Sequence, residues 1–309
     1  MFFSWAYWAI FGLTTSWALF KKMGQIYCIY TDKTVEEEET NLEHIIPLSL
    51  GGCNDFIIKV DAQKNADLGS SVDGKLSNDF LVSLIRRRHD YKGHSKKTVE
   101  PTLKKSKIAT SDTSETPAQV KFLKDKIEVF NPIEKRILTE EEVKGINIKS
   151  TFQFDRFLRI CFTAKVVLAA GYFVYGETFR KYADHDSLRK LMNLNITETK
   201  ESLRNIPLRV VDKFHSIPEN DKGMVGIYEL ICQAIGGSCV IFMLSTDNII
   251  GSVGIGGEFI GSVNFKADAA KFPNEDDYRL GHIVGVQEGK LNREAFYDVN
   301  AKIYELIKK

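Results

Sequence analysis

No two cysteines of this chain stand in a C-x-x-C pair. Five are present (Cys28, Cys53, Cys161, Cys232 and Cys239), an odd number. That argues against a disulfide framework and fits a reducing cytosol. None has the context of a nucleophile, so all five read as small buried hydrophobes. Net charge is nearly absent as well, at +1 over 309 residues, which taken alone argues against nucleic acid as a partner. The stretch holding Gly251, Gly254, Gly256 and Gly257 lacks the Lys-Ser/Thr pair of a phosphate-binding P-loop and the G-x-G-x-x-G spacing. Its glycines read as turn and strand positions. Ile-Gly-Ser-Val occurs at 250 and again at 260, too short a match to mark a structural repeat.

What is there begins at residues 43–52, Glu43-His44-Ile45-Ile46-Pro47-Leu48-Ser49-Leu50-Gly51-Gly52, followed by Lys64-Asn65-Ala66-Asp67-Leu68-Gly69. A carboxylate can hold a hard cation through oxygen. The adjacent imidazole can take a proton from water at neutral pH. An asparagine carbonyl supplies a second metal oxygen without adding charge. Each part alone has an ordinary reading: a solvated loop, a helix N-cap, a glycine turn. The combination, in this order and near this spacing, is the specific signal.

Residues 28–97, about a quarter of the chain, resemble the HNH endonucleases, the ββα-metal nucleases. The subgroup most similar carries E-H-I-I-P-x-x-L-G-G and then C-N-x-x-x-G-x-x-x-D, whose second half reads here Lys64-Asn65, Gly69 and Asp73. The resemblance implies a two-stranded hairpin and a following helix. It implies His44 as the general base and one divalent ion, magnesium or alternatively manganese, on Glu43 and Asn65. Asn54 falls where the family has the asparagine that orients the base, with its spacing to Asn65 slightly off the usual. DNA is the implied substrate, with RNA as the alternative, and the module class suggests restriction or phage defence. Many members also carry two C-x-x-C pairs on a structural zinc. The corresponding positions here are Cys28, Thr31, Asp61 and Lys64, one thiolate where zinc needs about four N or S ligands, so no structural zinc is expected.

The charge is unevenly spread. Residues 86–107 hold Arg86, Arg87, Arg88, Lys92, Lys96, Lys97, Lys104, Lys105 and Lys107 against Asp90 and Glu100. Arg86, Arg87 and Arg88, soon after the motif, are read as phosphate contacts, and Lys104 to Lys107 as a solvated linker face. Of the next two histidines, His89 and His94, the second is favoured as a nucleic-acid contact, because similar histidine- and glycine-rich stretches follow the motif in related nucleases.

Residues 2–20 contain no charge and all three tryptophans, and Lys21-Lys22 follow. The run is close to the roughly 20 residues that span a bilayer. Two readings stand side by side: a membrane anchor that keeps the rest on the cytoplasmic face, or a mis-called start with Met23 as the true first residue. A cleaved signal peptide fits less well.

The expected organisation is α+β: 1–22 the apolar segment, 23–97 the HNH module, 98–149 a linker, and 150–309 an accessory α+β domain of core helices and an antiparallel meander. Strands are expected at 26–30, 56–60 and 126–130, and helix from Asn65 with Leu76, Phe80, Leu81, Leu84 and Ile85 as its stripe. Residues 31–41 read as an acidic loop. Residues 152–179 read as a long helix whose Arg156, Arg159 and Lys165 favour a core position over a membrane span. A shorter helix at 186–192, strands at 238–244, 249–253 and 258–263, and a closing helix at 292–307 with Asn292 as N-cap complete the pattern. The function expected is a metal-dependent endonuclease. The alternatives are a catalytically silent nucleic-acid binder and a membrane-tethered nuclease gated by its C-terminal domain.

Overall fold

The computed structural model describes residues 24–109, 115–153, 155–194, 206–212, 214 and 219–307. The apolar segment and its two readings lie outside the described residues. The fold is α+β.

The chain opens with two antiparallel hairpins. β1 (Gln25–Cys28) pairs with β2 (Lys33–Glu36), and β3 (Thr40–His44) pairs with β4 (Ile57–Asp61), with His44 opposite Ile57. The acidic stretch expected to be a loop therefore supplies β2, a 3-10 turn at Glu37–Glu39 and the start of β3. Directly after β4 comes helix α1 (Ala62–Leu68), capped by the Asp61 carboxylate, which accepts from the Lys64 amide at 2.7 Å. The cap is thus Asp61, and Asn65 sits inside the helix. A π-turn (Gly69–Asp73), α2 (Gly74–Ser77) and α3 (Phe80–Arg88) carry the apolar stripe onward.

The segment expected as a linker is folded. β5 (Thr102–Ala109), β6 (Thr116–Phe122), β7 (Ile127–Asn131), β8 (Arg136–Ile137) and β9 (Asn147–Ser150) form an antiparallel sheet in the order β8-β7-β6-β5-β9, with short helix α4 (Glu140–Val143) before β9. Ile108, Ala118, Val120 and Val129 make its small core. A register shift between Leu103 and Ser106 breaks the period-two pattern of β5, so its lysines read as a charge run and not as the outer face of a strand.

The C-terminal part is a sheet covered on both faces. Its order is β10 (Arg209–Asp212), β13 (Glu258–Lys266), β12 (Asn248–Ile255), β11 (Ser238–Leu244), β14 (Gly281–Gln287) and β15 (Lys290–Ala295), antiparallel throughout. Gly256 and Gly257, with φ of 55° and 79°, make the two-residue turn between β12 and β13. Strand alternation divides the layers. Val240 and Phe242 face α5 (Arg156–Tyr175), while Cys239 and Ile241 face α8 (Glu219–Ile235) and α9 (Phe296–Ile307). Two shorter helices, α6 (Glu177–Tyr182) and α7 (His185–Met192), follow α5. The closing helix starts at Phe296, four residues later than expected. Asn292 lies in β15 opposite Gly285, because the residues before the helix are taken up in pairing with β14.

The helix α5 is apolar and long enough to cross a membrane, but most of it is buried inside the protein. Its Asp155 cap accepts from the Leu158 amide at 3.0 Å, and it stops at Gly176, where φ is +53°. Around it the N- and C-terminal parts share one core. Ile45, Phe56 and Leu76 belong to the same cluster as Phe162, Val167 and Phe242, and Phe56 meets Phe173 edge-on at 5.1 Å. The boundaries expected at 97 and 150 thus bracket a five-stranded excursion from a common core. All five cysteines are buried free thiols, as read from the sequence.

Candidate active site

His44 is the last residue of β3, and its neighbour Glu43 lies on the opposite face of that strand. The half-buried imidazole meets Asn54 in the loop before β4, with Nε2 at 3.0 Å from Asn54 Oδ1. An amide oxygen only accepts, so Nε2 carries the proton and Nδ1 of the neutral ring is the basic atom. The loop that delivers Asn54 turns tightly. The Gly51 and Gly52 amides donate back to Leu48 and Pro47 carbonyls at 3.1 Å, and Gly51 has φ +84°. A Cβ on Gly52 would lie 1.7 Å from the Ile46 carbonyl oxygen. Gly52→Ala is therefore expected to displace the loop and lose about 2 kcal/mol or more, by the strain of overpacking, read as a fall in the unfolding midpoint. An unchanged midpoint would contradict this account of the turn.

The third member is His94, whose ring stands edge-on to His44 at 5.7 Å between centroids. Tyr91 positions it. The Tyr91 amide donates to Arg86 O at 2.9 Å, and its ring lies where a Cβ on Gly51 would fall, 2.6 Å away. His89 turns elsewhere, stacking on Tyr91 and reaching Gly256, and burial lowers its imidazole pKa. The structure thus brings together His44, Asn54 and His94.

The other expected residues are placed differently. Glu43 is 7 % exposed, and its carboxylate is in an ion pair with Lys165 of α5, which is fully buried. Tyr30 donates its hydroxyl to the same Oε1 at 3.5 Å. Lys165 also lies 2.5 Å from Asp73 Oδ2. Asn65 donates through Nδ2 to Asn41 Oδ1 at 2.8 Å. Glu43 and Asn65 are therefore engaged with different partners, and the expected divalent-ion pair does not fit. A carboxylate already neutralised by a buried ammonium is a poor ligand for a second cation.

Arg86 corrects another expectation. It is 8 % exposed, and Nη1 donates to the Ser77 carbonyl at 2.7 Å, so it ties α3 to α2 and does not reach a ligand. Its place beside Val82 and Ile85 on the buried face of α3 is the reason. Arg87 is half-buried, and the exposed Arg88 pairs with Glu258 at 3.3 Å. Exposed Lys92, Lys96 and Lys97 flank His94 instead.

Asp73 is the unusual acid of the region. Burial, its largest influence, pushes its pKa up from 3.8 to about 6 against the pull of Lys165, and Glu43 adds to the rise. For Lys165 burial opposes the charge, but Asp73 and Glu43 outweigh it and raise its pKa. A raised carboxyl pKa contributes stability that is complete below the unfolded value and is lost as pH rises through the folded one. Between about pH 4 and pH 6 this amounts to roughly 3 kcal/mol. Asp73→Asn is expected to gain on the wild type over that window, as read from melting temperatures. A constant difference would contradict the assignment.

Asp32, His185 and Asp186 bring potential metal-ligand atoms within 4.8 Å of one another, a cluster assembled from residues more than 150 positions apart, with no motif to announce it. Its centre is taken by Arg189, whose Nη2 lies 2.5 Å from His185 Nδ1 and 3.3 Å from Asp32 Oδ2 and contacts Asp186. A guanidinium already supplies the cation there. Comparison with family models, with curated proteins and with solved structures finds no match for the chain.

Proposed function

We propose that the chain is a phosphodiester hydrolase of the HNH type acting on DNA, with His44 as general base. The observation that carries the reading is the Nε2-to-Asn54 hydrogen bond, which fixes the tautomer that leaves Nδ1 as a proton acceptor. It stands at the loop end of the β3–β4 hairpin, which a helix follows, the arrangement the motif resemblance leads one to expect. Nδ1 takes a proton from water, the oxygen attacks phosphorus, and the P–O bond to the leaving sugar oxygen breaks as that oxygen takes a proton from solvent, to which the His44 imidazolium then returns its own. His94, exposed beside His44, donates to a phosphate oxygen, and Lys92, Lys96 and Lys97 hold the backbone on either side. No step is assigned to a divalent ion, because Glu43 and Asn65 do not form a shared site.

The full chain incubated with supercoiled plasmid, single-stranded DNA and RNA, in magnesium, in manganese and in EDTA, tests this reading. Nicked or linear DNA supports it, and the EDTA lanes establish whether an ion is needed. Salt-sensitive DNA binding without cleavage in any lane would replace it with the silent nucleic-acid binder.

A further inference from the structure

The carboxylates of the N-terminal part that lie deepest are answered by cations on a single helix of the C-terminal part. From α5, Arg159 pairs with Asp79 at 2.9 Å, with both side chains under 5 % exposed. Six residues on, Lys165 contacts Glu43 and Asp73 together and is 0 % exposed. Burying a lysine this completely is costly unless it is paired, and here it has two partners. Glu43 Oε1 is also approached by the Tyr30 hydroxyl, and Asp73 Oδ1 is buried with no hydrogen-bond partner among the described residues. Glu43 is thus buried and already holds one positive charge.

We infer that Lys165 is the resident cation of Glu43, so that Glu43 is a positioning residue and not an ion ligand. The ammonium stands on the carboxylate to which the motif resemblance assigns a divalent ion. A metal ion at Glu43 would have to displace that ammonium and give up its own water at a side chain only 9 % exposed. The carboxylate instead pins the end of β3 to α5. Since His44 is the next residue, that contact sets where the imidazole stands relative to Asn54. The metal half of the inference holds for the chain whatever it does. The positioning half rests on the hydrolase reading above.

Binding of Mn2+ to the full chain, followed by the electron paramagnetic resonance of the free ion, tests the first half without any cleavage. Wild type is compared with Glu43→Gln and with the triple variant Glu43→Gln/Asp73→Asn/Lys165→Met. The triple variant keeps the network neutral if the single variant folds poorly. The expected result is an Mn2+ affinity that changes less than twofold, or no Mn2+ binding in any of the three. A tenfold loss in Glu43→Gln or the triple variant, with the variant's circular dichroism unchanged, would overturn the inference. For the positioning half, Glu43→Gln keeps an oxygen for Lys165, and Glu43→Ala does not. Glu43→Ala is expected to cleave about tenfold more slowly than Glu43→Gln through kcat, at equal KM. Equal kcat in the two variants would overturn that half. If the wild type cleaves nothing, the hydrolase reading fails and the Mn2+ comparison still decides the ion question.

Discussion

Lys165→Met is expected to destabilise the chain by about 3–5 kcal/mol, the cost of removing one partner from a buried ion pair. In a protein of this size that corresponds to a fall in melting temperature on the order of 10 °C. Packing is a minor part of it, because methionine nearly matches the lysine stem in volume. The loss comes from leaving Glu43 and Asp73 buried without a counter-charge, both under 10 % exposed. The consequence is not local. Lys165 lies within a helix that touches the six-stranded sheet, α7 and the π-turn that carries Asp73. Adding Glu43→Gln and Asp73→Asn to Lys165→Met is expected to return most of the stability, since a matched neutral network replaces an unmatched charged one. Urea unfolding of the single and triple variants measures both. A single variant within 1 kcal/mol of wild type would contradict the account of the network.

His44→Ala is expected to lower DNA cleavage by about 10²–10⁴-fold, the usual contribution of a positioned general base. Asn54→Ala is expected to have a smaller effect, roughly tenfold to a hundredfold, because it misplaces the base without removing it. Neither substitution touches the shared core, since Asn54 is exposed and His44 sits at a strand end. Melting temperatures should therefore stay close to wild type while rates fall, and DNA affinity should change little. Equal rates for His44→Ala and wild type would move the base function elsewhere. The nearest alternative is His94, 5.7 Å away between ring centroids.

Much of this arrangement was legible in the residues. The resemblance of residues 28–97 implies a hairpin and a following helix, and both elements are present. Asn54 reaches His44 despite its slightly unusual spacing, because Gly51 and Gly52 let the loop fold back on Pro47. His94 could be singled out as a candidate site residue, though nothing in its spacing showed its ring contact with His44. The meander at 238–263 showed in its runs of β-branched residues and its paired turn glycines.

What was not legible follows from long-range pairing. Lys165 is 122 residues from Glu43 and 92 from Asp73 in the chain, and a lysine inside an apolar helix announces burial without naming its partner. Arg86 has the same composition signature as a surface cation, and only the facing of α3 shows that it is internal. The sheet at 102–150 was hidden by charge: its outer face is lysine and glutamate, its buried residues are few, and a bulge breaks the alternation. The strand at 290–295 was hidden differently. Its apolar residues run on into those of α9, and only the pairing with β14 shows where strand ends and helix begins.

The measurement that tests the central claim most directly is nicking of supercoiled plasmid by the full chain, wild type beside His44→Ala, at matched DNA occupancy and matched circular dichroism. The account predicts accumulation of nicked or linear plasmid with wild type and a rate at least a hundredfold lower with the variant. Cleavage that survives His44→Ala undiminished, or a wild type that binds the plasmid and never cuts it in any ion, would contradict it.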